Sequence, residues 1–299
     1  MDRLDAMATL VDVVAERSFA AAGRKRRLPR AVVSKHVQAL ESEFGARFFH
    51  RTTRRLSLTD AGTRFHDHCL KILAAVKDAE DDIDERSGKV RGVLRMTAPS
   101  PFAELHLMTH LERFATVYPE VRLDLDFSER FVDFVREGLD VGVRICTSPP
   151  PGLVAKKLAS SSILICGSPE YLRRRGRPKH PDDLAQHDTV GWVYQSDATV
   201  WDLGSGATRQ SVKITPRHRT NDNRLLRHFA LAGQALAQLP SYYVAEDVAA
   251  GRLVSVLDRY RDTSRSVFVV YPDRTRLAPK VRALVDLLSG AFAGEQRWR

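Results

Sequence analysis

From Phe65 to Ile83 the apolar residues Phe65, Cys69, Ile72, Val76, Ala79 and Ile83 recur at spacings of 4, 3, 4, 3 and 4, with charged residues between them. Only a helix keeps positions so spaced on one face, and a stripe of this kind is stable in water only when something covers it. The spacing predicts one helix of about 30 residues across 59–89, ended by "ERSGKVRG" with its breakers Gly88 and Gly92. Its simplest cover is the same helix of a second copy; packing onto its own domain is the alternative.

That helix separates two dissimilar regions. Before it, Leu4, Met7, Val11 and Val14 form one helical stripe, "SFAAAGRK" starts a second helix with Ser18 as N-cap, and Val33, Val37, Leu40 and Phe44 form a third stripe after a break at Arg27 to Pro29. Two short helices joined by a tight turn, the second basic on its outer face, describe a helix-turn-helix. "HRTTRRLSLTDAG" follows, in which Leu56 and Leu58 alternate as a short β-wing would, laying Arg51, Arg54 and Arg55 beside a phosphate backbone.

Charge sharpens this reading once it is located. Between Arg17 and Arg55 eleven Lys or Arg face only Glu41 and Glu43, so this window holds +9 of the chain's formal +10. A local excess is the footprint of a polyanion partner, because each cation that neutralises a phosphate releases counterions. A solvated face explains the charge alone equally well, and "RKRR" also matches a nuclear-localisation pattern.

After the long helix, strand and helix alternate: "VLRMTA", then the amphipathic helix "PFAELHLMTHLERFATVYP", "VRLDLDF", a helix over "FVDFVREG", and "DVGVRI". This order implies a mostly parallel sheet with right-handed crossovers. A second unit starts near "SSILICGSPEYLRRRG" and runs to about Tyr260, after which "SVFVVYP" and "PKVRALVDLLSGAF" return to the first sheet. The expected organisation is a winged helix-turn-helix over 1–58, a linker helix over 59–89 and a two-lobed α/β domain over 90–299, with lobe 1 at about 90–161 and 266–299 and lobe 2 at about 162–265. Such lobes leave a cleft that suits a small ligand.

Other classes are disfavoured. No apolar run has the roughly 18 residues of a membrane helix, and the charged N-terminus does not resemble a signal peptide. Cys69, Cys146 and Cys166 show no CxxC spacing, which suits reduced cytoplasmic thiols better than disulfides or zinc; no cofactor or metal is expected. Cys146 and Cys166 at predicted strand ends raise a redox-sensor reading, but buried inert thiols are commoner. GxSxG, HExxH, Walker and GxGxxG patterns are absent, so catalytic residues are not assigned; an unrecognised hydrolase on the two-lobed domain and a non-specific architectural DNA-binding protein remain as alternatives.

In this order, "SFAAAG", "AVVSKHVQALESEFGARFFHRTTRRLSLTDAG", "YPEVRLDLDFSERFVDFVREGLDVGVRI", "SPEYLRRRGRP", "AEDVAAGRLVSVL" and "APKVRALVDLL" resemble the LysR-type transcriptional regulators over essentially the whole chain. The resemblance implies an α/β protein with an N-terminal all-α winged helix-turn-helix and a C-terminal effector domain like a type II periplasmic binding protein. It also implies a cytoplasmic bacterial regulator that binds double-stranded promoter DNA as a homodimer or homotetramer and responds to a small effector; RNA polymerase stays open as a further partner.

For DNA reading, the first turns of the recognition helix offer Arg30, Ala31, Ser34 and Lys35: Arg30 and Lys35 can donate to guanine edges and Ala31 can pack on a thymine methyl. Lys25, Arg27, Arg51, Thr52, Arg54 and Arg55 are assigned to phosphates. For the effector, the resemblance implies Ser100, Pro101, Phe102, Arg144, Thr147, Asn221 and Gln238, with an anion favoured at the helix N-terminus after the first strand; capping and bracing of strand ends is an equal alternative. The chain departs from the family pattern at Arg26, Arg27 and Pro29, where an apolar residue, a glycine and a serine are usual, and at Pro101 and Ala235. Arg26 is expected to cover apolar surface with its stem and send its charge to water or a phosphate.

Overall fold

The N-terminal stripes become helices α1 (Arg3–Glu16), α2 (Phe19–Arg26) and α3 (Arg30–Glu43). In the computed structural model every residue is described except 1, 51–55, 88, 129–131, 135, 194–199, 207–208, 274–276, 295–297 and 299, together with the side chains of 77, 78, 80–82 and 84–87. Two compact units emerge: Met1–Val90 with Phe131–Leu139 and Thr275–Pro279, and Arg91–Arg130 with Asp140–Arg274 and Lys280–Arg299.

In the first unit, Ala6, Met7, Leu10 and Val13 of α1 pack with Ala22 of α2 and with Val33, Val37 and Leu40 of α3 around Phe48 and Phe49. Ser18 caps α2, its Oγ accepting from the Ala21 N–H at 3.2 Å. The turn into α3 needs a left-handed residue, and Arg27 supplies it at φ 56°; a side chain there costs about 1 kcal/mol relative to glycine. Leu28 N–H then donates to Gly23 O at 2.8 Å, and a Cβ on Gly23 would lie 2.7 Å from Leu28 O, so this turn closes only on a glycine. Beyond α3, Phe49 bridges Leu58, His50 N–H donates to Ser57 O at 3.0 Å and Thr59 N–H to Phe48 O at 2.9 Å. These bonds join the two ends of the expected wing; Arg51, Thr52, Arg54 and Arg55, assigned to it, lie outside the described residues.

Helix α4 (Asp60–Ser87) carries the 4-3-4-3-4 stripe, but the stripe is divided. Phe65 stacks on Phe48 with ring centres 4.4 Å apart and Cys69 is buried in the helix-turn-helix core, so these two positions are covered by their own unit. Ile72 and Ile83 are 40% and 67% exposed. The part of the stripe left for a partner therefore begins at Ile72.

The helix expected over 131–138 does not form among the described residues: Val132 and Asp133 are irregular, and Phe134 and Arg136 to Gly138 are turns. Asp133 Oδ1 accepts from the Arg136 N–H at 3.1 Å, as an N-cap does, and Glu137 N–H donates to Asp133 O at 3.0 Å, but Gly138 at φ 64° is a left-handed stop that ends the segment after this one turn.

The second unit holds two five-stranded sheets. The first contains β1 (Gly92–Ala98), β2 (Val121–Phe127), β3 (Val141–Cys146) and β4 (Leu153–Ser160); between β1 and β2 run α5 (Ser100–Phe102), a π-helical turn (Ala103–Leu107) and α6 (Met108–Val117). The second sheet starts with β5 (Ile163–Gly167), followed by α7 (Pro169–Arg175), β6 (Thr189–Trp192), the hairpin β7 (Val200–Leu203) and β8 (Gln210–Lys213), β9 (Pro216–Thr220), α8 (Asn223–Leu231), β10 (Leu236–Pro240), α9 (Ser241–Ala249) and β11 (Val254–Val256). The chain returns to the first sheet as β12 (Ser266–Pro272) and ends in α10 (Pro279–Ala291).

The orders are β2-β1-β3-β12-β4 and β11-β5-β10-β6-β9. The sheets are mixed and not mostly parallel: β1 runs parallel to β2 and β3, whereas β12 is antiparallel to β3 and β4. A chain that leaves one sheet and returns lays its return strand against the outgoing one, which the βαβ pattern at the front does not reveal. Leu226, Ala230 and Val244 cover one face of the second sheet from α8 and α9; Trp201 and Leu203 of β7 cover the other.

Candidate nucleic-acid interface and effector crevice

Helix α3 buries Val33, Val37 and Leu40 and turns Arg30, Ala31, Lys35 and Gln38 outward, with Ser34 half-buried. Pro29 stands at its N-cap without a side-chain bond; its carbonyl accepts from Val32 and Val33 N–H at 2.9 and 3.2 Å. The first turn has no acidic residue to oppose the helix dipole and carries Arg30 instead, an arrangement that favours an external anion. The side chains of Arg27, Arg30 and Lys35 form no hydrogen bond or ion pair with described residues.

Their neighbours differ. Arg26 does not send its charge to water or phosphate: its Nη1 donates to Asp12 at 2.9 Å and its other terminal nitrogen binds Asp5. Lys25 reaches Asp12 at 2.9 Å and Glu16 at 3.5 Å. Burial opposes the Lys25 charge, but those two carboxylates outweigh it and leave the ammonium's pKa above 10.5. Asp5 also lies 3.6 Å from His36 of α3, whose Nδ1 is 3.0 Å from Thr9 Oγ1. The expected phosphate ligand Lys25 is thus held by its own unit.

In the second unit, β1 is followed by a crossover to β2 on one side and pairs with β3 on the other, so the carboxyl ends of β1 and β3 form the switch point at which ligands bind in sheets of this kind. Ser100 starts α5 there and its Oγ donates to Phe127 O at 2.7 Å, bracing the ends of β1 and β2. Arg144 of β3 donates to Val143 O at 2.9 Å and to Thr97 Oγ1 at 3.4 Å. Thr147 is exposed just beyond β3.

Other expected effector residues sit elsewhere. Pro101 is buried, and the Phe102 ring is fully buried against Tyr242, Phe292, Trp298 and His106, so that side chain is core and only its backbone N–H is left for a ligand. Gln238 on β10 donates to Asp202 O at 3.2 Å and lines a small pocket with Ser255, Asp258 and Arg261, all within the second sheet's own layer. Asn221 is exposed after β9, beside the Asp222 cap of α8. Ser128, absent from the expected set, has its Oγ buried without a partner immediately after the Phe127 carbonyl that Ser100 engages. A lone serine after a strand gave no signal in the sequence.

Among the described residues no group of three or more His, Cys, Asp or Glu could hold a metal ion, and no helix is long and apolar enough to cross a membrane. Burial pushes the Cys69 thiol up to about 11 and that of Cys166 up to about 12, and raises Cys146 as well. Only Cys146 is not fully buried, so folded protein at pH 8 should expose one reactive thiol to a water-soluble aromatic disulfide and three after denaturation. Rapid native labelling of two or three thiols would contradict the packing around Cys69 and Cys166.

The model for the bacterial regulatory helix-turn-helix protein, lysR family, matches residues 4–63, and the model for the LysR substrate binding domain matches 87–293. An HTH-type transcriptional regulator of Xanthomonas campestris pv. campestris (strain 8004) is 33% identical over 93% of this chain and 82% of its own length. The HTH-type transcriptional regulator DmlR of Escherichia coli (strain K12) is 32% identical over 94% of this chain and 92% of its own. Among solved structures, the full-length Vibrio cholerae virulence activator AphB, a member of the LTTR protein family, superposes with a TM-score of 0.64 at 25% identity, covering 97% of this chain and 99% of that one.

Proposed function

The chain belongs to the LysR family of transcriptional regulators, and from that premise we propose that it reads promoter DNA through the outward face of α3 and that a small effector at the β1–β3 crevice alters how it does so. One observation carries the DNA reading: Arg30 and Lys35 stand exposed without internal partners on the face opposite the buried Val33, Val37 and Leu40, while the adjacent Lys25 and Arg26 are paired. Arg30, Ala31, Ser34 and Lys35 are assigned to base edges. Arg27 and the wing residues Arg51, Thr52, Arg54 and Arg55 are assigned to phosphates.

Two copies joined through the exposed residues of α4 from Ile72 onward would present paired recognition helices to a two-fold site. The effector reading rests on Arg144, the Ser100 end of α5 and the orphaned Ser128 hydroxyl, a set that suits an anionic group. Such a ligand acts only through different affinities for two arrangements of the protein. The curated relatives are regulators, which supports a binding role over catalysis.

Replacing Lys35 by alanine tests the assignment. It should weaken binding to the target duplex by about 1–3 kcal/mol while changing affinity for scrambled DNA much less, measured by anisotropy at matched salt. Equal losses on both duplexes would move Lys35 from base reading to phosphate contact.

A further inference from the structure

Asp5, Asp12 and Glu16 are seven and four residues apart, so they share one side of α1. All three lie outside the basic window of the sequence, yet the fold sets them against the end of α2. Arg26 is shared by Asp5 and Asp12, and Lys25 by Asp12 and Glu16. The Asp12 side chain is 16% exposed and that of Arg26 21%, so this pairing is largely removed from water and resists screening by salt. The Lys25 side chain is 53% exposed, with its ammonium drawn back onto α1. Arg24 and Arg27, on either side of the pair in sequence, are exposed and make no ion pair with described residues.

We propose that Asp12, assisted by Glu16, limits the chain's affinity for non-specific DNA by holding Lys25 away from the phosphate backbone. The inference rests on the DNA-binding reading above. A lysine must leave its carboxylate before it can neutralise a phosphate, so the paired residue releases no counterion and adds nothing to the salt dependence of binding. Regulators must discriminate a few sites against a large excess of other DNA, and lowering the sequence-blind contribution widens that margin without touching a base contact. The extra basic charge at Arg26 is contained by Asp12 together with Asp5.

The test is anisotropy of the full chain on a scrambled duplex across a salt series, for the unaltered protein and for Asp12→Asn, Glu16→Gln and Asp12→Asn/Lys25→Ala. Freeing one cation should steepen the slope of log affinity against log salt by about 0.9 in Asp12→Asn and should tighten binding several-fold at low salt. Glu16→Gln leaves both partners of Arg26 in place and should shift the slope the same way by less. The double variant should lose the added slope, which separates release of Lys25 from simple removal of a repulsive carboxylate. An unchanged or shallower slope in both single variants, or a double variant that keeps the gain, overturns the proposal while leaving DNA binding intact. Failure of the unaltered protein to bind any duplex at the lowest salt would overturn the DNA-binding reading and this inference with it.

Discussion

Gly62→Ala is expected to unfold the N-terminal unit preferentially and to remove DNA binding at every salt concentration. A Cβ on Gly62 would lie 2.1 Å from Phe48 O and 2.8 and 2.9 Å from Phe48 C and Cα, all backbone atoms. The contact has no flexible side chain to move aside. Phe48 O also accepts the Thr59 N–H at 2.9 Å, and Gly62 N–H donates to Thr59 Oγ1 at 2.9 Å, so relief at one point breaks the base of the wing at another. The Phe48 ring is buried and stacked on Phe65, which ties the same displacement to the helix-turn-helix core. Overpacking of this kind costs about 3 kcal/mol, a large share of a small unit's stability. Urea unfolding followed by far-UV circular dichroism should show an early transition in the variant, and a coincident, unshifted transition would contradict the packing described.

Asp247→Asn should destabilise the second sheet by about 3 kcal/mol at neutral pH, with an effect that shrinks in acid. Asp247 on α9 has no exposed surface; Arg227 donates to Oδ1 at 2.9 Å and also reaches Oδ2, and Arg252 donates to Oδ1 at 2.8 Å. Burial by itself would raise the carboxyl, but the hydrogen bonds from Arg227 and Arg252 outweigh it and hold the pKa below 3.8. A carboxyl depressed in the folded state adds stability above its unfolded pKa and loses it as the pH falls through the folded one. The unaltered protein should therefore lose this contribution as the pH drops below 3.8, whereas the variant has none to lose. Unfolding free energies that differ by a constant amount from pH 7 to pH 3 would show that Asp247 acts by packing and not by charge.

What the sequence made legible follows from the range of the interactions involved. Periodicity is local, so the stripes of α1 to α4, the Ser18 cap and the first strands could be read directly. Pairing across helices is not local. Eleven basic residues against two acidic ones described residues 17–55 as a run, but Asp5, Asp12 and Glu16 neutralise part of it from α1. The same blindness divided the α4 stripe: its spacing is uniform, and only the fold shows that Phe65 and Cys69 belong to the helix-turn-helix core while Ile72 and Ile83 stay open.

The proposed effector site was less legible than the outward face of α3. The alternation of strands and helices located the carboxyl end of β1, and Ser100 and Arg144 do meet the ends of neighbouring strands there. Phe102 and Gln238 could not be placed, because which side of a helix or strand faces a crevice depends on layers contributed by distant parts of the chain. Here those layers are the aromatic cluster with Phe292 and Trp298 and the β7–β8 hairpin. The helix expected over 131–138 stops short for a more local reason, the left-handed Gly138 that follows a single turn capped by Asp133.

The central claim is that the exposed face of α3 reads sequence. The most direct measurement compares binding of the full chain to the intergenic DNA upstream of its own gene with binding to a scrambled duplex of equal length, by fluorescence anisotropy across a salt series. Phosphate contacts weaken as salt rises whatever the sequence, whereas base contacts distinguish the duplexes at each salt concentration. A preference for the upstream fragment that persists as salt rises is the expected result. Equal affinities that vanish together with salt would contradict sequence reading at that site and favour a non-specific DNA-binding protein.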